Sequence, residues 1–362
     1  MTADAASAAG TVAEQVAEKS GKADGNPWNL LLLAPLDEAT AAAIFDGLPV
    51  RITAPPAPYS LPDVLAEADI VLGDWRTAHP GLDAEAIALA PRLAFVQQPS
   101  VGVQAHDLAA LAAAGVPLSN VAGFNAIAVA EWAIGALFSV ARQLVWSQAE
   151  LVAGRWPQTE VVEHGATEIA GRRVGLVGCG SIGQALLPRF LALGCEVSYW
   201  SRRQREPHEM PGATYRELDE LVASSDVLVN VIALAPQTRG LLSGERLAAL
   251  PRGAFLVNAS RGGIVDEDAV AAALREGRLA GAAFDVYAVE PLPGDSPLRT
   301  APNVLLTPHT GGSTAQTIPR LIAGVVANIR RAVSGEPVLD VVNGVDPVVR
   351  RRPNGSAPGQ TG

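Results

Sequence analysis

The chain has 362 residues, 49% of them hydrophobic and 18% charged, with a formal net charge of -10. That apolar content is enough for two ordinary domains and excludes a wholly disordered chain. The acidic balance argues against nucleic acid or an anionic membrane as the main partner. Of the 27 basic residues, all but Lys19 and Lys22 are Arg, so from residue 23 onward no Lys is available for Schiff-base or P-loop chemistry.

Residues 1–26 read as a tail of Ala, Gly, Ser and charge; with acids and no apolar core, they do not read as a secretory signal. No apolar run approaches the ~20 residues of a membrane span. Cys179 and Cys195 are too few for a disulfide framework or a Cys-rich zinc site. The five His include no His-x-x-x-His pair, so no metal site is expected. A reducing, cytoplasmic setting follows as the expectation.

Taken in order, NLLLLAPL (29–36) reads as a buried strand, DEATAAAIFDGL as a helix, and residues 68–74 and 93–100 as further strands. A helix at 107–115 and a short strand at 116–121 follow. The next segment, from about Ala126 to Ala153, reads as one long helix, apolar over so much of its circumference that it needs burial on more than one side. A new strand (Arg172 to Val177), a helix (Ser181 to Leu193) and the strand in CEVSYW come next. Later strands are predicted at 227–234, 254–260, 281–287 and 303–309, and a last amphipathic helix at 314–335 with Gly335 as its stop. Residues 345–362 read as a tail whose Arg350, Arg351 and Arg352 either touch an anion or, as the favoured reading, form a solvated charge run. Alternation of helices with near-continuous apolar strands predicts an α/β fold with parallel sheets covered on both faces.

GCGSIG places Gly178, Gly180 and Gly183 in the G-x-G-x-x-G positions between a strand and a helix. There, one glycine makes a tight turn, the next admits a pyrophosphate, and the third lets helix and strand pack closely. The helix N-terminus offers free N–H groups to the phosphates. About 20 residues on, an NAD site usually carries an acid for the ribose 2′-hydroxyl; here stand Ser201, Arg202 and Arg203. Either the Arg pair binds a 2′-phosphate, which favours NADP(H) over NAD(H), or it is solvated surface.

Arg261, Glu290 and His309 each fall just past a predicted strand, where open α/β sheets place their ligands. A carboxylate beside an imidazole favours its charged form, and such a His can give a proton to a carbonyl oxygen. An Arg nearby polarises that carbonyl or holds a substrate carboxylate.

From about residue 28 to 344 the chain resembles the D-isomer-specific 2-hydroxyacid dehydrogenase family, through VGLVGCGSIG, ALAPQTRGLL, VNASRGGIVDEDAV, AAFDVYAVEPLP and TPHTGGST in that order. The resemblance implies two Rossmann/flavodoxin-like domains with the active site in the cleft between them. Residues 27–121 and 309–344 would form the substrate-binding domain and 122–308 the NAD(P)-binding domain. It implies that His309 is the general acid/base, paired with Glu290, and that Arg261 binds the substrate's carboxylate and carbonyl. Ser100, Val101, Gly102 and Val103 would hold the substrate carboxylate through backbone N–H groups. Ser181 and Ile182 would lie at the pyrophosphate, Pro236 and Thr238 beside the cofactor, and Asp285 at the nicotinamide amide. The long helix from Ala126 would lie in a homodimer interface.

Within that fold, formate dehydrogenases put Gln where Glu290 stands, and phosphite dehydrogenases use a Lys that this body lacks. A dinucleotide-sensing, corepressor-like binding protein is the alternative from another class. Trp75 falls near a loop that faces the substrate, where it either walls off a small pocket, favouring glyoxylate or hydroxypyruvate, or packs in the core.

Overall fold

Twelve strands carry the described part of the chain, and all of them pair in parallel. The computed structural model describes residues 26–34, 36–55, 60–74 and 81–352. The chain divides into two units, Asn125–Ser313 and the remainder from both ends, Met1–Phe124 with Thr314–Gly362.

In the unit that holds both ends, β1 (Trp28–Leu32), β2 (Val50–Thr53), β3 (Ile70–Leu72), β4 (Phe95–Gln97) and β5 (Leu118–Ser119) form a sheet in the order β2-β1-β3-β4-β5. Successive strand residues point to opposite faces. Leu30, Leu32, Ile70 and Leu72 join one buried cluster with Val325, Val326 and Ile329 of the helix Thr317–Ser334. Leu31, Leu33 and Val71 join another on the opposite face. That two-sided burial explains the unbroken apolar runs. The last helix ends at Gly335, whose φ of 71° is the left-handed conformation that glycine adopts at least cost.

Asn125–Ser313 carries β6 (Arg173–Val177), β7 (Glu196–Trp200), β8 (Thr214–Tyr215), β9 (Val227–Asn230), β10 (Ala254–Asn258), β11 (Leu279–Phe284) and β12 (Val304–Leu306). Their order is β12-β11-β10-β9-β6-β7-β8. Both faces are again buried: Val227, Val229, Phe255 and Val257 pack on one side, and Leu228, Ala254 and Leu256 on the other.

Two expectations need correcting. The long helix is two helices, Ala126–Ala141 and Leu144–Val152, bent by 60°. Gln143 between them is left-handed, at φ 54°. The cause is competition for carbonyls. In a continuous helix the Val140 and Ala141 oxygens would accept from the fourth residue onward. Here Asn303 Nδ2 donates to the first and Thr167 N to the second. Secondly, the arginines near the end are not simply a solvated run. Arg351 donates to the Asn26 and Pro27 carbonyls and to the fully buried Asp69, and lies over the Trp28 ring. Arg352 bonds the Ala114 carbonyl. Residues 345–352 are therefore part of a folded unit, and Val349 is buried in it. Among the described residues, no single helix is long and apolar enough to cross a membrane.

Candidate active site

Three neighbouring strands deliver the three candidate catalytic residues. β10, β11 and β12 lie side by side, and Arg261, Glu290 and His309 follow their carboxyl ends in that order. Strands about 5 Å apart bring residues distant in sequence to one edge. His309 Nδ1 lies 2.8 Å from Glu290 Oε2. An ionised carboxylate only accepts, so the neutral ring carries its proton on Nδ1 and leaves Nε2 for another partner. The two side chains are 44% and 37% exposed, which leaves them open to a ligand.

The backbone around the pair is tied down. His309 has φ 56°, an uncommon conformation for a residue with a side chain. Its N–H donates to the carbonyls of Asp285 and Thr307, which hold it there. The buried Asp285 carboxylate accepts from Thr307 Oγ1, Thr310 N and Gly311 N, at 2.5, 2.8 and 2.7 Å. Asp285 thus organises the loop that carries His309. Glu290 Oε1 accepts from Tyr287 N, and Glu267 accepts from Ala288 N, which fixes the approach to Glu290. Arg261 donates from Nη1 to the Ser260 carbonyl. Burial pushes its pKa below the ordinary arginine value, opposed by the Glu290 and Asp285 carboxylates. It is a cation held partly out of water beside two acids.

The glycine loop follows β6 on the same sheet. Gly178 has φ 107°, and a side chain there would meet Ile232 N at 2.6 Å. One at Gly183 would meet the Gly178 carbonyl at 2.4 Å, so the close helix–strand packing holds. Gly180 has nothing within 4 Å of where a Cβ would stand. It precedes the helix Ser181–Ala192, whose N-terminus no side chain caps. Open space above an uncapped helix N-terminus, with Ser181 and Ile182 in its first turn, fits a dinucleotide pyrophosphate. Past β7, Ser201 is buried and donates to the Arg203 carbonyl, shaping the turn. Arg202 and Arg203 are exposed. Arg203 reaches Glu209 only at 3.9 Å, and Arg202 has no partner among the described residues. Pro236 and Thr238 form a turn after β9. The buried Thr238 hydroxyl donates to the Ala233 carbonyl and accepts from Ala235 N, so it closes the loop rather than projecting from it.

In the other unit the segment Ser100–Val103 follows β4. Each of its four carbonyls accepts a hydrogen bond: Ser100 from Val121 N, Val101 from Asn120 Nδ2, Gly102 from Ser100 Oγ, and Val103 from His106 N. Among the described residues, none of its four N–H groups has an acceptor. With every oxygen tied inward, the loop offers N–H donors, the arrangement an anion favours. Trp75 lies outside the described residues. Among those described, no group of His, Cys, Asp and Glu could hold a metal ion.

Sequence reasoning passed over Gln98, Asn120, His106, Thr307, Thr310 and Glu267. They act through contacts that cross long sequence distances, and none belongs to a motif whose spacing carries a mechanism.

Residues 134–311 match the family described as D-isomer specific 2-hydroxyacid dehydrogenase, NAD binding domain. The chain is 36% identical over 320 residues to D-3-phosphoglycerate dehydrogenase of Mycobacterium tuberculosis, covering 87% of this chain and 58% of that protein. It thus spans little more than half the length of that relative. It is 33% identical over 304 residues to glyoxylate/hydroxypyruvate reductase B of Yersinia pestis, covering 83% of this chain and 90% of the relative. Among solved structures, a glyoxylate reductase from Paecilomyces thermophila superposes with a TM-score of 0.77 at 26% identity, over 88% of this chain and 99% of that one.

Proposed function

The chain belongs to the D-isomer specific 2-hydroxyacid dehydrogenase family, and we propose that it is a nicotinamide-dependent reductase of small 2-oxoacids. The observation that carries this reading is the 2.8 Å His309–Glu290 pair beside Arg261, at the carboxyl ends of three adjacent strands. When bound, the nicotinamide dinucleotide supplies or accepts hydride. As the imidazolium, His309 gives its Nε2 proton to the substrate's carbonyl oxygen and is left neutral with its proton on Nδ1; in the oxidative direction the neutral ring takes the hydroxyl proton on Nε2. Glu290 fixes the ring's tautomer and orientation. Arg261 binds the carbonyl and carboxylate of the substrate, a task for which a guanidinium's fork is suited. The Ser100–Val103 loop, whose N–H groups have no acceptor among the described residues, takes the substrate carboxylate. Gly178 to Gly183 takes the pyrophosphate. The match to glyoxylate/hydroxypyruvate reductase B over 90% of that relative supports glyoxylate or hydroxypyruvate as substrate. Arg202 and Arg203, with no carboxylate in the Ser201 position to repel a phosphate, support NADP(H) as the preferred cofactor.

Initial rates with NADPH and NADH against glyoxylate, hydroxypyruvate, 3-phosphohydroxypyruvate and bulkier 2-oxoacids test this. Saturable NADPH-dependent reduction of the two smallest is expected. Tenfold better kcat/KM with NADH overturns the cofactor assignment. Tight dinucleotide binding without turnover on any 2-oxoacid turns the reading into that of a dinucleotide-sensing binding protein.

A homodimer is proposed on a separate observation. The helix Leu144–Val152 buries none of its residues, and Val152 and the following Trp156 are 82% and 75% exposed. Apolar surface of that kind is what a second copy would cover. Light scattering should give twice the chain mass, and Val152→Glu should shift it towards the monomer.

A further inference from the structure

We infer that Gln98 and His106 are positioning residues for substrate binding, holding the Ser100–Val103 loop with its N–H groups outward through one hydrogen-bond relay. The inference rests on the reading of that loop as the carboxylate site.

The relay is continuous. Leu82 N donates to His106 Nδ1 at 3.2 Å. With Nδ1 accepting, the neutral ring carries its proton on Nε2 and donates to Gln98 Oε1 at 2.9 Å. That sets the Gln98 amide the one way round in which Nε2 donates to the Asp74 carbonyl and to Ser100 Oγ, at 3.1 and 2.9 Å. Ser100 Oγ, its lone pair occupied, donates onward to the Gly102 carbonyl at 2.8 Å. Gln98 Nε2 uses its two hydrogens for two acceptors, each other donor has one, and the direction of each bond forces the next. The last bond ties down a carbonyl inside the four-residue loop.

The surroundings show that the relay is built in. Gln98 and His106 are 5% and 7% exposed. A side chain at Gly73 would stand 2.0 Å from Gln98 Oε1 and 3.4 Å from His106 Nε2, so the chain keeps a glycine where the two side chains meet. Burial pushes the His106 imidazolium down to about 4, leaving the ring neutral and able to accept from Leu82. Neither residue is placed to touch substrate: their polar atoms bond each other, Leu82, Asp74 and Ser100. Breaking the relay should free the Ser100 hydroxyl to rotate and the Gly102 carbonyl to turn outward, setting an oxygen against the substrate carboxylate.

The test uses the full chain with glyoxylate and NADPH, comparing Gln98→Met, Ser100→Ala, His106→Leu and His106→Gln. Loss of binding that is equal in ground and transition states raises KM and spares kcat, so Gln98→Met should raise KM for glyoxylate about tenfold with kcat changed less than about threefold. The NADPH dissociation constant, read by fluorescence, should not move. Ser100→Ala should give a smaller rise, and the Gln98→Met/Ser100→Ala double variant no more than Gln98→Met alone, because both cut one relay. His106→Gln, which keeps a donor for Gln98, should recover much of what His106→Leu loses. The inference is overturned if folded Gln98→Met and Ser100→Ala both keep the original KM, if the two effects multiply, or if NADPH binding weakens equally. Should Gln98→Met fail to fold, Ser100→Ala decides alone, since it removes one hydroxyl in a half-buried loop; an unchanged KM sinks the relay. Absence of saturation with any 2-oxoacid in the unaltered chain overturns the functional reading itself, and this inference with it.

Discussion

Two loops of this protein carry backbone N–H groups with no acceptor among the described residues, and they are made in opposite ways. Gly178 to Gly183 needs almost nothing from elsewhere. A helix begins whose first N–H groups have no partner among the described residues; Gly178 and Gly183 allow close backbone packing, and Gly180 leaves open space before the helix. Ser100 to Val103 has no helix behind it. Its four carbonyls are held by Val121, Asn120, Ser100 and His106, while its N–H groups have no acceptor among the described residues. One site is local in the chain; the other is assembled from strands and turns up to 21 residues apart. The first should fail through backbone sterics, and the second through loss of a distant side chain.

The chemistry belongs to neither loop, so His309→Ala sets the largest effect. It should lower kcat by about 10²–10⁴-fold with the affinity for both ligands little changed. Weakened NADPH binding of the same size would mean that His309 holds the structure rather than moves a proton.

The assembled loop should carry a pH signature that the glycine loop lacks. His106 is neutral when folded, down to a pH of about 4, whereas an unfolded His takes up its proton near 6.5. Between those values the unfolded chain binds more protons. Stability is thus full above about pH 6.5 and falls as pH drops towards 4, by about 3 kcal/mol at most for this group. Urea unfolding of the unaltered chain and of His106→Leu across that range reads the difference. Parallel curves would show that His106 does not contribute.

Gly178→Ala tests the local loop. At φ 107°, with Ile232 N at 2.6 Å, a methyl group forces the backbone to move. A loss of about 2 kcal/mol in stability is expected, with weaker NADPH binding and, in any protein that stays folded, an unchanged inhibition constant for a carboxylate such as oxalate. Equal loss of both ligands would break the distinction between the loops. The smallest effect is expected at the turn after β7. Arg202→Ala with Arg203→Ala should raise KM for NADPH about tenfold and leave NADH nearly unaffected, the cost of one charge-assisted contact.

How much of this was legible in the chain follows the same division. The strands of both sheets that are buried on two faces announce themselves as apolar runs. β2, with alternating exposure, does not. The predicted strands overran their carboxyl ends at 98–100, 231–234, 285–287 and 307–309; at the first three, buried residues continue past the strand ends. The overruns are where the candidate site lies. The break at Gln143 was hidden because nothing local ends that helix; Asn303 and Thr167 do, from far along the chain.

By itself the sequence determined the α/β class, the glycine loop, and which Arg, Glu and His could carry acid–base chemistry. Those features depend on residue type, short spacing and the repeat of apolar positions. Only the tertiary structure decided that β10, β11 and β12 are neighbours, that His309 Nδ1 rather than Nε2 meets Glu290, and that a buried Gln–His pair stands behind the Ser100 loop. Hydrogen bonds between segments depend on strand order and on which lone pairs are already taken, and neither is written in any local stretch of chain.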